Sequence, residues 1–279
     1  MTALNQKEKA ELFRSLHTGP SVLVLPNAWD AASARIYELA GFPAVATTSS
    51  GVAAAYGQPD GQLISKEALI ATTMSIVKSV ACPVSVDAEA GYGRNMTEVV
   101  ETIRAIIEAG AVGINIEDSS KGADEALVDV AYQVELIQAL RQLGKMLDIP
   151  FVLNARVDVF VLEVGEPASR SEQAIKRGNA YLQAGADSVY PIGPSDRETV
   201  TKLVQGIQGP VNILVGPTSP TLPELAGLGV ARVSFGSALM RVALGQLRLA
   251  AQELRAQGTY QHMMAGASAL TNLDSLWHV

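Results

Sequence analysis

The chain has 279 residues, of which 48% are hydrophobic and 18% charged, and its formal net charge is −7. Gly, Pro or polar residues interrupt every apolar run well before about 20 residues, which excludes a membrane span. Dispersed basic residues argue against a nucleic-acid partner. The N-terminus lacks an apolar secretory segment, and a single cysteine, Cys82, excludes a disulfide framework. We therefore expect a cytoplasmic protein whose partners are small molecules.

Short β-branched segments alternate with helical segments from the start of the chain. Val22–Leu25 predicts a strand, Ala31–Ala40 an amphipathic helix and Pro43–Thr47 a second strand. Six more strands are predicted farther along, at Val84–Val86, Val112–Ile116, Phe151–Asn154, Ser188–Tyr190, Val211–Leu214 and Ala231–Ser234. Together these segments make eight strands.

Glycines mark the boundaries between helices and strands. A glycine just before a strand can end the preceding helix in a left-handed conformation, and this spacing recurs at Gly41, Gly110, Gly185 and Gly229. Repeated βα units with helices long enough for parallel crossovers predict an α/β fold of the (β/α)8 TIM-barrel type. A Rossmann fold is disfavoured, because Pro26–Trp29 follows the first strand in place of a glycine-rich turn.

The domain organisation is predicted to be simple. No linker divides the chain, so we expect one barrel domain over residues 1–279. Residues 237–279 follow the eighth strand as a C-terminal helical extension, with a long helix at Ser237–Gln257 and a further segment at Tyr260–Leu276. The apolar residues of this extension would either cover the barrel's own helices or pack on a neighbouring subunit.

Polar residues stand at the carboxyl ends of most predicted strands. In a barrel of this type the loops after the strands form the active face, so these residues are the candidates for function. They are Asn27, Thr47–Ser50, Asp87 with Glu89, Glu117 with Asp118, Arg156 with Asp158, Tyr190, Asn212 and Ser234. Each could be an ordinary loop residue, but together they indicate a site.

The acidic residues Asp87, Glu89, Glu117 and Asp118 would lie close together if the third and fourth strands are neighbours. Clustered carboxylates repel one another unless a cation or a base joins them. A hard divalent cation, Mg²⁺ or Mn²⁺, suits such oxygen ligands, whereas the three histidines lie near the chain ends and do not suggest zinc. The alternative is a solvated acidic rim with a structural ion pair to Arg156.

Other residues near these strand ends suit an acidic ligand. Arg156 is suited to bidentate carboxylate binding, and the segment Thr48, Ser49 and Ser50 offers hydroxyl and backbone N–H groups to an anionic oxygen. Asp60 is either a turn former in Gly57–Gly61 or a member of the metal and proton network. Cys82 precedes the third strand, at the other end of the barrel, and is predicted to be a core residue.

Five segments, in this order, resemble the isocitrate lyase and phosphoenolpyruvate mutase superfamily over nearly the whole chain. They are Asn27–Arg35, Ala40–Val45, Asp87–Gly93, Gly113–Asp118 and Asn154–Asp158. The resemblance implies an α/β barrel, usually tetrameric with its last helix exchanged between subunits, that holds Mg²⁺ and a 2-oxo-acid or its enolate. Members cleave or form C–C or C–P bonds next to a carboxylate.

The resemblance also implies roles for individual residues. Asp87 resembles the direct metal ligand, and Glu89 and Glu117 resemble the residues that hold metal-bound water. Asp60 matches an acidic residue of a gating loop, and Arg156 matches the arginine that binds the substrate carboxylate. Thr48, Ser49 and Ser50 occupy the place of the substrate-binding Ser-Gly segment. We predict Asp60, Glu117 and Arg156 as catalytic residues, and we add Asn212 to the substrate-binding set.

The chain departs from the superfamily pattern after the fourth strand. Lyase members carry a Lys-x-Cys-Gly-His-type loop there, and this chain has Ser119–Asp124 instead, with no Cys or His. We therefore expect a Mg²⁺-dependent enzyme that acts on the C–C bond of a small oxo-acid, with oxaloacetate-type decarboxylation or hydrolysis ahead of lyase action. An oxo-acid-binding protein with little turnover and phosphonopyruvate-type C–P chemistry are the alternatives, and a homodimer or homotetramer is expected.

Overall fold

The computed structural model describes residues 4–19, 21–120 and 126–277. All eight predicted strands are present in it, and a ninth strand of two residues, which was not predicted, follows the first. The strands are β1 (Leu23–Leu25), β2 (Asn27–Ala28), β3 (Val45–Thr47), β4 (Val84–Asp87), β5 (Gly113–Glu117), β6 (Val152–Val157), β7 (Ser188–Pro191), β8 (Asn212–Leu214) and β9 (Arg232–Ser234).

The strands form a parallel ring. β2 to β7 form one sheet in chain order, and β1, β9 and β8 form another. Pro26 separates β1 from β2, because it has no N–H to donate to a ladder. One continuous segment therefore contributes to both sheets, and its second part, β2, lies beyond the predicted strand Val22–Leu25. A parallel bridge between Val189 and Val211 joins β7 to the start of β8. These two connections complete a (β/α)8 barrel, as predicted.

Helices connect the strands on the outside of the ring. They are α1 (Gln6–Leu16), α2 (Ala31–Leu39), α3 (Ser49–Ala55), α4 (Lys66–Ser79), α5 (Met96–Glu108), α6 (Val130–Leu147), α7 (Arg170–Ala184), α8 (Arg197–Gly206), α9 (Leu222–Gly227), α10 (Ala238–Gln257) and α11 (Gln261–Ala267). Two short 3₁₀ helices lie at Pro167–Ser169 and Leu273–Leu276. The four glycines predicted to precede strands all have positive φ, which confirms their role at these boundaries.

α1 closes the amino end of the barrel. Phe13 is fully buried in a small core cluster with residues at the starts of strands. A side chain at Gly113 would come within 2.6 Å of the Phe13 ring, so this glycine permits the close approach of α1 to β5. Cys82 also lies at this end, before β4, where burial and the Glu38 carboxylate raise the pKa of its thiol to about 12. Cys82 is half-buried and packs against the main hydrophobic core, as predicted.

The C-terminal extension forms a helical hairpin of α10 and α11. Glu253 joins the two helices, because its carboxylate accepts hydrogen bonds from the backbone N–H groups of Gln261 and His262. Leu276 is buried against α2, whereas several apolar side chains of α10 and α11 are exposed, among them Val242, Leu244, Leu247, Met263 and Met264. Exchange of the last helix between subunits stays a prediction. In the described ranges we find no helix with the length and hydrophobicity to span a membrane.

Candidate active site

A cavity of about 230 Å³ lies at the carboxyl ends of the strands. This volume is below the range typical of pockets for drug-sized ligands and suits a small metabolite. Seven of the nine residues with a predicted metal, substrate-binding or catalytic role line it, namely Thr48, Ser49, Ser50, Asp60, Asp87, Arg156 and Asn212. Four other candidates at strand ends also line it, namely Asn27, Thr47, Tyr190 and Ser234. Glu89 and Glu117 do not line this cavity.

The carboxylate of Asp87 stands at the cavity wall with a hydrogen bond to each oxygen. The backbone N–H of Ser49 donates to Oδ2 at 3.1 Å, and the side-chain amide of Asn115 donates to Oδ1 at 3.0 Å. Within the part of the chain that the structure describes, Asp87 forms no salt bridge. The fold therefore holds a negative charge in a fixed position at the cavity without placing a basic side chain against it.

A row of amide and hydroxyl groups inside the barrel supports Asp87. Ser188 Oγ donates to Asn154 Oδ1 at 2.6 Å, and Asn154 Nδ2 donates to Asn115 Oδ1 at 2.8 Å. These residues occupy matching register positions on β7, β6 and β5, and Asn115 pairs in register with Asp87 on β4. Barrel interiors are usually filled by branched apolar side chains, so this polar layer is a specific feature that orients the Asp87 carboxylate.

Glu89 lies behind Asp87 in a strained loop. Glu89 and Tyr92 have φ values of 48° and 53°, which non-glycine residues rarely adopt outside functional loops. Glu89 is 3% exposed, and the Tyr92 hydroxyl donates to its Oε1 at 2.7 Å. Burial and the neighbouring Asp87 carboxylate raise the pKa of Glu89 to about 7 despite this hydrogen bond. The loop therefore holds two carboxylates close together.

Arg156 is paired with two carboxylates. Its Nη1 lies 2.9 Å from Glu117 Oε2, and its Nε lies 2.6 Å from Asp158 Oδ1. Burial lowers the pKa of Arg156, but Glu117 and Asp158 outweigh that effect and the pKa is raised. Arg156 does line the cavity, as predicted, and the structural ion pair that was the alternative reading of the acidic rim also exists. Its capacity for a substrate carboxylate is already partly used.

Asp118 does not share the site with its neighbour Glu117. Its Oδ2 accepts from the Tyr181 hydroxyl at 2.7 Å and from Arg177 Nη1 at 3.0 Å, both on α7, and its Oδ1 accepts from the backbone N–H of Asp158. The expectation that it joins the acidic cluster is corrected, because successive side chains of an extended chain point to opposite faces.

Asp60 and the segment after β3 form the rim of the cavity. Partial burial and the Asp87 carboxylate raise the pKa of Asp60, although Ser49 donates a hydrogen bond to it. Thr48 begins α3 as its N-cap, and its hydroxyl accepts from the backbone N–H of Gly51. A Cβ at Gly51 would lie 2.6 Å from the Thr48 side chain, so the close packing of this turn requires glycine. Asp60 thus faces the cavity beside Asp87, as its predicted membership of the site requires.

Several cavity residues were absent from the predicted site. Ser85, Asn115 and Arg232 lie within strands and line the cavity from inside the barrel. A charged residue between Ala231 and Val233, inside a predicted strand, is a signal that could have identified Arg232. Residues 121–124 of the predicted loop Ser119–Asp124 lie outside the described residues. In the described part of this loop, Ser119 Oγ donates to Glu117 Oε1 at 3.1 Å.

The oxygen donors at the cavity fit a divalent cation. Asp87 provides an oxygen ligand, and Asp60 and Glu89 stand near enough for their pKa values to respond to its charge. In the described ranges, no three His, Cys, Asp or Glu side chains are grouped to hold a metal ion together. Mg²⁺ commonly takes one or two carboxylates and keeps several waters, so the residues fit Mg²⁺ with Asp87 as the direct ligand. The predicted metal roles of Asp87, Glu89 and Glu117 stay predictions.

A (β/α)8 barrel with a polar cavity, lined by both aspartate and arginine side chains at the carboxyl ends of its strands, defines a barrel protein with a site for a small polar ligand. The chain belongs to the phosphoenolpyruvate phosphomutase family, whose family model matches residues 13–255. This membership confirms the resemblance to the isocitrate lyase and phosphoenolpyruvate mutase superfamily.

Known proteins similar to this chain extend over most of its length. An uncharacterized protein of Mycobacterium tuberculosis is 38% identical over 225 residues, which are 81% of each chain. The 2,3-dimethylmalate lyase of Eubacterium barkeri is 28% identical over 243 residues, covering 84% of this chain and 82% of the lyase. The crystal structure of a candidate lyase/mutase from Burkholderia cenocepacia J2315 is 40% identical, covers 93% of both chains and has a TM-score of 0.86.

Proposed function

We propose that the protein is a Mg²⁺-dependent enzyme that cleaves or forms a C–C bond of a small 2-oxo-acid or related carboxylate through an enolate-type intermediate. The observation that carries the proposal is the Asp87 carboxylate, fixed by Ser49 and Asn115 at the cavity with no salt bridge among the described residues. Mn²⁺ could replace Mg²⁺ at such an oxygen site.

The proposal assigns each side chain a task. Asp87 would hold the cation, and Glu89 and Glu117 would hold its water. The cation would supply electrostatic stabilisation of negative charge on the 2-oxo oxygen. Thr48, Ser49 and Ser50 bind the carboxylate next to the oxo group, because their hydroxyl and N–H groups border the same cavity.

The remaining residues complete the predicted site. Arg156 orients the substrate carboxylate, with its guanidinium held in place by Glu117 and Asp158. Asp60, at the cavity rim, exchanges a proton with the substrate carbon. Asn212 borders the cavity on the opposite strand β8 and binds a polar group of the substrate.

The residues present favour oxaloacetate-type decarboxylation or hydrolysis over lyase action. No Cys or His of the described chain lines the cavity, so these residue types offer no acid to protonate the enolate there. A lyase reaction on a small dicarboxylate is the second candidate within the same proposal, because the 2,3-dimethylmalate lyase of E. barkeri is 28% identical to this chain.

The test compares the protein with its Asp87→Asn variant, which keeps the side-chain size and removes the charge. Mg²⁺ binding is measured by calorimetry, and turnover is measured on oxaloacetate, 2,3-dimethylmalate and phosphonopyruvate with and without Mg²⁺. We expect Mg²⁺-dependent turnover of a C–C substrate and a loss of at least about 100-fold in the variant, the order of loss seen when one electrostatic contact to the transition state is removed.

Asp148→Asn is the matched control. Asp148 is exposed and has φ of 54°, a conformation that Asn tolerates, so this variant should keep full activity. Unchanged Mg²⁺ affinity in Asp87→Asn would contradict the metal assignment. Tight oxo-acid binding without any product would favour the binding-protein alternative, and turnover of phosphonopyruvate alone would favour C–P bond chemistry.

We also propose that the protein is a homodimer or homotetramer. The exposed apolar side chains of α10, which include Val242 and Leu247 at 63% and 66% exposure, form a face that a second copy of the chain could cover.

A further inference from the structure

Arg232 is a buried cation in the wall of the cavity. The residue is 3% exposed, lies at the start of β9 and lines the cavity. Its Nε has no hydrogen-bond partner, and its Nη1 lies 3.5 Å from His17 Nε2. In the described ranges, Arg232 forms no salt bridge. A buried charge without a carboxylate is costly, and folded proteins usually provide a partner for it.

Three other partly buried arginines in the described ranges are paired. Arg141 pairs with Asp187, Arg156 with Glu117 and Asp158, and Arg177 with Asp118. By contrast, burial lowers the pKa of Arg232 to about 10, even though Tyr190 and Asp87 act in the opposite direction. Its environment therefore lacks the compensating negative charge that the other sites supply.

Asn212 provides a second unsatisfied polar atom beside Arg232. The two residues are paired in register on β8 and β9. Asn212 is fully buried and lines the cavity, and its Nδ2 donates to Ser234 Oγ at 3.2 Å while its Oδ1 has no partner. Arg232 thus has a buried donor and Asn212 a buried acceptor without a hydrogen-bond partner, and both residues line the same cavity. Such adjacent unsatisfied groups are expected where a ligand or ordered water completes the hydrogen bonds.

A purely structural role for Arg232 does not explain why a buried cation stands at this position. Its contact with His17 is long, and burial together with the positive charge of Arg232 lowers the pKa of His17 to about 3. His17 is therefore neutral near pH 7 and adds no charge to offset the guanidinium. An apolar side chain could fill the same space in the barrel without the cost of desolvating a cation.

We propose that Arg232 forms a second anion-binding subsite that takes the distal carboxylate of the substrate, while Oδ1 of the adjacent Asn212, which can only accept, binds an ordered water. This inference rests on the proposed function: the oxo-acid end of the substrate lies at Asp87 and Ser49, and the distal end reaches β8 and β9. Arg156, already paired with Glu117 and Asp158, does not compete for the distal group. Arg232 thereby selects 2-oxo-diacids over 2-oxo-monoacids of the same length.

The experiment uses matched ligand pairs in which a methyl group replaces the distal carboxylate. Oxaloacetate is compared with 2-oxobutyrate, and 2-oxoglutarate with 2-oxopentanoate, by calorimetry in the presence of Mg²⁺. We expect the diacid of at least one pair to bind at least about tenfold more tightly. Arg232→Met should weaken that diacid by roughly 10- to 100-fold, the loss expected for a charge-assisted hydrogen bond, and should leave the monoacid within about threefold.

Arg14→Met is the matched control. Arg14 also has an Nε without a hydrogen-bond partner, but it lies on α1 outside the cavity lining, so its removal should leave both affinities unchanged. Arg232→Lys keeps the charge and loses the planar guanidinium, and we expect an intermediate diacid affinity. Thermal unfolding of each variant shows whether it is folded.

Equal affinity of diacid and monoacid in both pairs would overturn the subsite, and this result needs only the unmodified protein. An equal loss of both acids in folded Arg232→Met would also overturn it, since a framework role would affect both. If monoacids and diacids bound equally tightly and their binding depended on Mg²⁺, the subsite would be refuted but the proposed function would stay intact. Absence of any oxo-acid binding would refute the proposed function itself.

Discussion

His17 makes the stability of the fold sensitive to acid. It is 4% exposed at the end of α1, and its Nδ1 lies 2.8 Å from the Phe13 carbonyl oxygen. Because a carbonyl only accepts, the proton of the neutral ring is on Nδ1, and Nε2 faces the Arg232 guanidinium. Protonation of Nε2 would place two buried cations in contact, with Arg14 adding a further positive charge nearby.

The size of the effect follows from the pKa of His17. Burial first, and then Arg232, lower it from 6.5 to about 3. The unfolded chain therefore binds a proton below pH 6.5 that the folded protein does not bind. The contribution of His17 is fully present above pH 6.5 and is lost progressively as the pH falls toward 3. At pH 5.0 the loss is about 2 kcal/mol, from 1.5 pH units at about 1.4 kcal/mol each.

The assay is urea unfolding followed by circular dichroism at pH 7.0 and pH 5.0, for the protein and for His17→Gln. Other groups titrate in this range, so the informative quantity is the difference between the two proteins. The variant should lose about 2 kcal/mol less than the unmodified protein on acidification. His262→Gln, at an exposed position on α11, is the control and should retain the full pH dependence. Identical pH dependence in His17→Gln and the unmodified protein would refute the argument.

Two further predictions concern the loop after β4 and the C-terminal helix. In urea unfolding, Gly91→Ala should destabilise the protein by roughly 1–3 kcal/mol more than Gly57→Ala. Both glycines have positive φ, but only a Cβ at Gly91 would clash with Val99, at 2.4 Å. Equal losses of stability in the two variants would contradict this steric explanation. Val242→Lys combined with Leu247→Lys should lower the oligomeric state measured by sedimentation, and an unchanged assembly would exclude this face of α10 from the interface.

The fold could be predicted because its signals are local. Each strand is a short β-branched run, and glycines such as Gly185, with φ of 115°, end the helices before them. The short strand β2 after Pro26 was not predicted. It forms by pairing with β3, and that pairing is a property of the closed barrel and not of the segment itself.

The site was predicted in outline and missed in its interior. Asp87 and Arg156 stand at strand ends, where the barrel rule directs attention, and both line the cavity. Asn115 and Arg232 were missed because they lie inside predicted strands, where periodicity indicates burial but not which face is polar. Asp118 was placed wrongly because adjacency in sequence does not give adjacency in space along an extended chain.

The charged residues around the cavity suggest how each end of the substrate is held. Asp87 and Asp60 border the cavity, Glu89 lies behind them, and the nearby cation Arg156 is already paired with Glu117 and Asp158. An anionic substrate would meet net negative charge at this end of the cavity, which opposes its binding. A divalent cation bound at Asp87 would make the charge at this end positive. Arg232, at the other wall, attracts an anion even when no metal is bound. Oxo-acid binding should therefore depend on the metal at one end of the substrate and on Arg232 at the other.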